Sequence, residues 1–191
     1  MKDETTRRDA VERAYRDHAD DVYRVAYALL RDPEAAVDVT QDAFARAFER
    51  WDRYDPERPL RPWLQAIGAN LARDALRRRR VRHLALPEMA QRRSGAGRDP
   101  REGLDPAETA SRRSVAEAAL DMLEPRARAA LVLRHYHGYD HAAIAEILGT
   151  NAGTVGSLLS RSHAFLRAHL AEHEQPEGSS SGADRARRTA R

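Results

Sequence analysis

The sequence predicts an all-α protein made of two small helical domains joined by a flexible linker. Apolar residues recur at alternating three- and four-residue steps in several segments, which is the period of a helix with one buried face. Residues 83–108 contain three prolines and three glycines and have weak apolar periodicity, which indicates a linker. Of the 191 residues, 41% are hydrophobic and 33% are charged, a balance that fits two small cores better than one large core.

Composition limits the chemistry open to this chain. It contains no cysteine, which excludes disulfides, thiolate metal sites and a cysteine nucleophile. Its apolar stretches are far shorter than the roughly 20 residues of a membrane-spanning helix, and the mostly charged segment 1–21 is unlike a signal peptide. It has no phosphate-binding glycine loop and no nucleophile elbow. We therefore expect a cytoplasmic protein that is not an enzyme, needs no cofactor and does not insert into a membrane.

Charge is unevenly distributed along the chain. The net charge is only +3, but residues 71–101 hold ten arginines against three acidic residues. Residues 1–60, by contrast, hold eleven basic and fifteen acidic residues. A basic block on a nearly neutral chain predicts a localised contact with a polyanion.

The N-terminal domain, residues 8–82, is predicted to hold three helices. The first runs from about Arg8 to Leu30. Asp32 is expected to cap a second helix that has Pro33 at its first position, runs to about Trp51 and turns Val37 and Phe44 toward the core. A proline-containing loop over 52–62 leads to a third helix, which begins near Pro62 and ends in the arginine run 77–82.

The C-terminal domain, residues 109–171, is predicted to hold four short helices. Their expected ranges are 110–122, 126–136, 140–148 and 152–170. The remaining residues, 172–191, are rich in serine, glycine and arginine, and we expect them to be disordered.

Residues 140–170 carry the pattern of a helix-turn-helix. Leu148 faces inward from a short helix, Gly149 ends that helix through its tolerance of positive φ, and Asn151 caps the next helix. Such a pair of helices is typical of DNA binding, although an ordinary helical hairpin has the same local pattern. The outward residues at the start of the second helix are Thr154, Gly156, Ser157, Ser160 and Arg161.

The third helix and the loop before it form a second candidate nucleic-acid surface. Arginines hold phosphates, and aromatic or apolar pockets can receive an unstacked base, so this combination suits single-stranded or melting DNA. Trp51 and Trp63 are more typical of core residues than of base-stacking ones. The candidate DNA contacts are Arg53, Tyr54, Arg58, Arg61, Asn70, Arg73, Arg77, Arg78 and Arg80.

Three histidines raise the question of a metal site. His135, His137 and His141 have the spacing H-x-H-x3-H, but Gly138 is expected to interrupt the helix between them and no fourth ligand is evident. We predict that no metal binds there.

Two groups of residues resemble the signatures of bacterial sigma factors. The segment DVTQDAF at 38–44, followed by Trp63, Leu64 and the arginine run, resembles sigma region 2. The segments LEPR at 123–126, IAEILG at 144–149 and GTV at 153–155 resemble region 4. Their order and the linker between them are similar to the extracytoplasmic-function (ECF) group, which keeps only these two regions, and the resemblance covers about residues 8–171.

This resemblance implies a factor that directs RNA polymerase core to promoters. Region 2 would dock on the beta-prime subunit through Asp38, Gln41, Asp42 and Phe44, with burial of Phe44 as the alternative. It would also open the minus-ten element through the basic helix and loop, while region 4 would contact the minus-thirty-five duplex through the start of its second helix. The implied partners are the beta and beta-prime subunits, promoter DNA and an anti-sigma protein.

The chain also departs from the family pattern. Family members usually carry basic residues where Gly156 and Leu158 stand, so the recognition helix offers fewer contacts to phosphates and bases. We therefore expect residues 110–170 alone to bind DNA weakly and polymerase tethering to supply most of the affinity.

The alternative interpretation is a stand-alone helix-turn-helix regulator. Such a protein usually dimerises on a symmetric site and has no need of a polymerase-binding face. Retention on core polymerase favours the sigma factor, and an operator footprint without polymerase favours the regulator.

Overall fold

The computed structural model describes residues 2–85 and 116–173, which form two helical domains. The N-terminal domain contains α1 (Lys2–Leu30), α2 (Pro33–Glu49), a 3₁₀ turn (Trp51–Arg53) and α3 (Leu60–Ala85). In the C-terminal domain, residues 116–121 are helical and are called α4, followed by α5 (Pro125–His135), α6 (His141–Leu148) and α7 (Ala152–His173). Neither range contains a strand, which confirms the predicted fold class.

The turn between α1 and α2 depends on the backbone conformation of Arg31 and on a helix cap by Asp32. Arg31 ends α1 with a left-handed φ of 50°, and its N–H donates to Tyr27 O at 2.8 Å. Asp32 Oδ1 then accepts from the N–H of Ala35 at 3.1 Å, and Pro33 takes the first helical position. The predicted start of α2 is confirmed.

The N-terminal core lies where α1, α2 and α3 pack on one another in pairs. Val22, Leu29 and Leu64 are fully buried there. The helices α1 and α3 approach closely at Gly68, where an added Cβ would lie 2.7 Å from Val22 Cγ1. A larger residue at position 68 would therefore push the two helices apart.

One core assignment on α2 is wrong. Val37 was expected inside, but its side chain is 44% exposed, whereas Ala36, Val39 and Ala43 fill the core. Two partner helices cover α2, so its buried arc is wide and is centred away from Val37. Phe44 is buried as expected, at 5% exposure.

The helix-turn-helix is present in the C-terminal domain. Gly149 ends α6 with a φ of 58°, and only Gly149, Thr150 and Asn151 separate α6 from α7. Asn151 Oδ1 accepts from the N–H of Thr154 at 2.8 Å and so caps α7. The predicted three- or four-residue glycine turn is confirmed.

The two domains pack against each other. The helix α5 lies on α1, and α6 lies on α3. Of the predicted linker, residues 83–85 are the last residues of α3, and 86–108 lie outside the described residues. Of the predicted tail, 172 and 173 end α7, and 174–191 likewise fall outside the described part. None of the helices described is long and apolar enough to cross a membrane.

Candidate nucleic-acid interface

The outward face of α2 is polar and accessible. Asp38, Gln41 and Asp42 are exposed, and within residues 2–85 and 116–173 no side-chain hydrogen bond or ion pair engages them. Phe44 points inward instead, with its ring in edge contact with Tyr15 at 4.9 Å between centroids. This face therefore offers one amide and two carboxylates to a partner, and Phe44 supports the face from beneath.

Three aromatic rings hold the loop between α2 and α3. The rings of Trp51, Tyr54 and Trp63 form one cluster, with centroids separated by 5.2 to 6.2 Å. The Tyr54 hydroxyl also donates to the carbonyl of Arg58 at 2.6 Å. Both tryptophans are half-buried against the core, so their role in fixing the loop fits the core interpretation better than base stacking.

The basic residues nearest this loop are already engaged by the other domain. Arg58 Nη2 donates to both carboxylate oxygens of Glu146, at 2.6 and 2.9 Å. Arg61 Nε donates to the Tyr139 hydroxyl at 2.8 Å, and its guanidinium lies 5.1 Å from the centre of that ring. Burial raises the pKa of Tyr139, an effect that the hydrogen bond from Arg61 opposes. Arg53 is exposed, and so is Arg58 despite its pair with Glu146.

Further along α3, the basic side chains divide into two groups. Arg73 donates to Asn70 Oδ1 and packs against Gly149, where an added Cβ would lie 3.0 Å from its guanidinium nitrogens. Burial lowers the pKa of Arg73, and the nearby Arg126 lowers it further. The second group, Arg77, Arg78 and Arg80, is exposed, with Arg77 paired to Asp74 at 2.9 Å.

A cleft of about 780 Å³ lies between α1 and α2, and a second of about 470 Å³ lies between the domains. The first is lined by apolar and charged residues, including Tyr15, Phe44 and Phe48. The second is lined by Asn70, Arg73 and Arg77 from α3 and by residues 124–126 at the start of α5. Three of the predicted DNA contacts therefore line the boundary between the domains.

The helix-turn-helix presents a short, sparsely charged surface. Ser157, Ser160 and Arg161 are exposed at the start of α7, whereas Thr154 and Gly156 are partly covered. Leu158, where the family usually has a basic residue, is 6% exposed and packs inward. The arginine at 161 is thus the one predicted contact of this helix that carries a full charge.

The histidines lie in separate environments. His137 is buried beside Gln65, His135 Nε2 lies 2.8 Å from His163 Nε2, and His141 lies near Gly156. Gly138 has a φ of 74°, which confirms the expected break in the helix. Within the described ranges, no group of three or more potential ligands could hold a metal. The pair of His135 with His163 was missed because 28 residues separate them.

Each of the two domains matches a known family model. Residues 14–82 match the family model of sigma-70 region 2, and residues 113–166 match that of sigma-70 region 4. The ECF RNA polymerase sigma factor SigE of Mycolicibacterium smegmatis is 38% identical over 159 residues, 83% of this chain and 60% of SigE. The RNA polymerase sigma-E factor of Streptomyces coelicolor is 30% identical over 156 residues, 81% of this chain and 82% of that factor.

The chain belongs to the ECF sigma factors of the sigma-70 family. It spans about three fifths of the length of SigE. Among solved structures, the sigma factor RpoE of Bartonella quintana, co-crystallised with the anti-sigma factor NepR, has the same fold. It superposes with a TM-score of 0.70 at 22% identity, over 84% of this chain and 96% of RpoE. The N-terminal domain is thus region 2, and the C-terminal domain is region 4.

Proposed function

We propose that this ECF sigma factor directs RNA polymerase core to specific promoters, where region 2 opens the minus-ten element and region 4 contacts the minus-thirty-five duplex. The observation that carries the proposal is the pairing of a polar, accessible α2 face with a capped helix-turn-helix in one chain. The first surface suits a protein partner, and the second suits the major groove. Catalysis belongs to the polymerase.

The polymerase contact is assigned to the α2 face. Asp38, Gln41 and Asp42 are exposed there, so they can form charged and amide hydrogen bonds with the beta-prime subunit. Phe44 is buried and supports this face through packing.

The minus-ten contact is assigned to α3 and the loop before it. Arg53, Arg58, Arg61, Arg73, Arg77, Arg78 and Arg80 would hold phosphates, and Tyr54 and Asn70 would contact bases. Unstacking a base costs a few kcal/mol, which contacts in the loop would offset.

The minus-thirty-five contact is assigned to the start of α7. Thr154, Ser157, Ser160 and Arg161 would face the groove, and Gly156 would allow close approach of the backbone. With one arginine in this set, affinity would depend on the polymerase holding both regions near DNA.

Two further assignments follow from family membership. With core polymerase as its partner, the protein would act in the cytoplasm. An anti-sigma protein is a proposed regulator, because RpoE of Bartonella quintana was solved with one.

Co-elution with core polymerase tests the assigned α2 face. The Asp38→Ala/Gln41→Ala double variant should bind core polymerase with an apparent affinity at least about tenfold lower than that of the unaltered chain, because it loses a charged and an amide contact. The control is Asp9→Ala/Asp20→Ala, which removes two exposed carboxylates from α1 and should leave co-elution unchanged. Equal retention of both variants would contradict the assignment.

A further inference from the structure

We propose that Arg7, near the start of α1, is a positioning residue for the minus-ten loop, which is the segment 54–59 between the 3₁₀ turn and α3. Arg7 holds Asp52 and, through Asp52, the 3₁₀ turn from which this loop begins. The inference rests on the proposed function, which assigns residues of the loop to the minus-ten element.

Arg7 makes a close ion pair with the turn. Its Nη2 donates to both carboxylate oxygens of Asp52, at 2.6 and 2.7 Å. The Arg7 guanidinium also lies 5.8 Å from the centre of the Phe48 ring, on the last turn of α2. The Arg7 side chain is accordingly only 23% exposed, although that of Asp52 is 71% exposed. An arginine packed against a ring is restrained, so it holds a carboxylate in one place better than a freely moving side chain does.

The 3₁₀ turn depends on side-chain contacts to keep its place, because none of its three residues is buried. One of these contacts is aromatic, since the Trp51 ring packs with the rings of Tyr54 and Trp63. Another is the ion pair of Asp52 with Arg7, which ties the turn to α1. Loss of Arg7 should therefore loosen the turn while the aromatic cluster and the helices stay intact.

The place of this turn decides where the assigned DNA contacts lie. Arg53 directly follows Asp52 and is exposed. The Tyr54 N–H donates to Trp51 O at 3.0 Å, so the minus-ten loop starts from the turn itself. Ordering a mobile loop at the moment of binding costs free energy, so a loop that is already in place captures an unstacked base more readily.

Arg7 also lies outside the part of the chain that matches the family model. The match to sigma-70 region 2 begins at residue 14, whereas α1 begins at Lys2. The first turns of α1 carry Arg7. The contact with Asp52 is therefore not among the features that the family model describes.

A purely electrostatic role would also explain the pair, because an unpaired Asp52 would repel DNA phosphates. The two roles make opposite predictions for Asp52→Asn. Positioning predicts slower promoter opening, because an amide holds Arg7 less strongly than a carboxylate does. Neutralisation predicts faster opening, because the variant removes the repelling charge.

Promoter opening by the full chain with core polymerase tests the proposal. The probe is a promoter duplex that gives a run-off transcript, with the fluorescent base 2-aminopurine in its minus-ten element. Arg7→Ala and Asp52→Asn should each slow opening about threefold, as expected for an ion pair that is largely exposed on one side. Arg13→Ala removes an exposed arginine from the same helix and should leave the rate unchanged.

A double-mutant cycle shows whether the two residues act through one contact. Arg7→Ala/Asp52→Asn should open the promoter no more slowly than either single variant, because each change removes the same interaction. Binding to core polymerase, measured on the same variants, should not change. Independent effects that multiply in the double variant, faster opening by Asp52→Asn, or a loss of core binding equal to the loss of opening would each overturn the proposal.

The proposed function and the role of Arg7 fail differently in this experiment. If the unaltered chain opens no promoter with core polymerase, the proposed function is wrong. If it opens a promoter and Arg7→Ala opens it as fast as Arg13→Ala does, only the role of Arg7 is wrong.

Discussion

His137 shows how a single buried side chain can couple two domains. The Gln65 amide nitrogen donates to Nε2, which leaves the proton of the neutral ring on Nδ1, facing Asp21 Oδ1 at 3.6 Å. Burial lowers the pKa of His137; Asp21 raises it, and Arg61 and Arg24 lower it. The net effect is a pKa below the ordinary value of 6.5, so the packing of region 4 on region 2 favours the neutral ring.

Acidification should therefore weaken the packing of region 4 on region 2. When the regions are apart, His137 has its ordinary pKa; when they are packed, its lowered pKa delays protonation, so proton uptake favours separation. The stabilisation is complete above pH 6.5 and declines as the pH falls from there toward the lowered pKa. The chain has no native cysteine, so dyes can be attached at Arg16→Cys on α1 and Ala168→Cys on α7, both exposed. Energy transfer between these dyes should fall over this window, and the exposed His141→Gln control should show the same fall. A flat or rising transfer would contradict the assigned role of His137.

Asn151 is expected to stabilise region 4 through one hydrogen bond. Its side chain accepts from the first turn of α7, so Asn151→Ala should lower the free energy of unfolding by about 1 kcal/mol. Urea unfolding of the full chain, followed by helical circular dichroism, measures the change. Asn151→Ser keeps a hydrogen-bond acceptor and should lose much less stability. Equal losses of stability in the two variants would refute the capping role.

Residue-scale predictions from sequence succeeded where the signal was local. Asp32, Gly149 and Asn151 act within four residues of their partners, so residue type and spacing sufficed. The partners of Arg58 and His137 lie 88 and 72 residues away, and no local pattern encodes them. Their engagement follows only from how the domains pack.

At the scale of elements, two helical glycines should respond oppositely to the same substitution. Gly68→Ala would place a Cβ 2.7 Å from Val22 Cγ1, which should cost about 1–3 kcal/mol of stability. Gly156→Ala would place its Cβ 3.8 Å from His141, which is an ordinary van der Waals distance. The higher helix propensity of alanine should therefore raise the stability by up to about 1 kcal/mol. Thermal unfolding of both variants measures the difference. A Gly68→Ala variant as stable as the unaltered chain would refute the close approach of α1 and α3.

The helices themselves were largely predictable. Their periodicity and caps gave α2, α5, α6 and α7 to within a few residues, because helix formation depends on near neighbours. The error at Val37 arose because the buried arc of α2 depends on where α1 and α3 lie. The N-terminal extension of α1 to Lys2 was missed because its first turns are nearly all polar.

At the scale of the whole molecule, the proposed function depends on which surfaces of the two regions are accessible. The α2 face and the start of α7 are accessible at the same time. Of the arginines assigned to the minus-ten element, Arg58, Arg61 and Arg73 contact region 4, and the others are exposed. Sequence motifs predicted which surfaces exist. They did not predict that region 4 covers part of region 2, because that depends on shape complementarity between separate cores.

Run-off transcription with purified core polymerase and a library of genomic promoters tests whether this chain directs initiation at specific promoters. Addition of this sigma factor should produce discrete transcripts that core polymerase alone does not make, and Asp38→Ala/Gln41→Ala should reduce them at least about tenfold. The absence of any new transcript, together with a symmetric footprint left on DNA by the chain without polymerase, would contradict it.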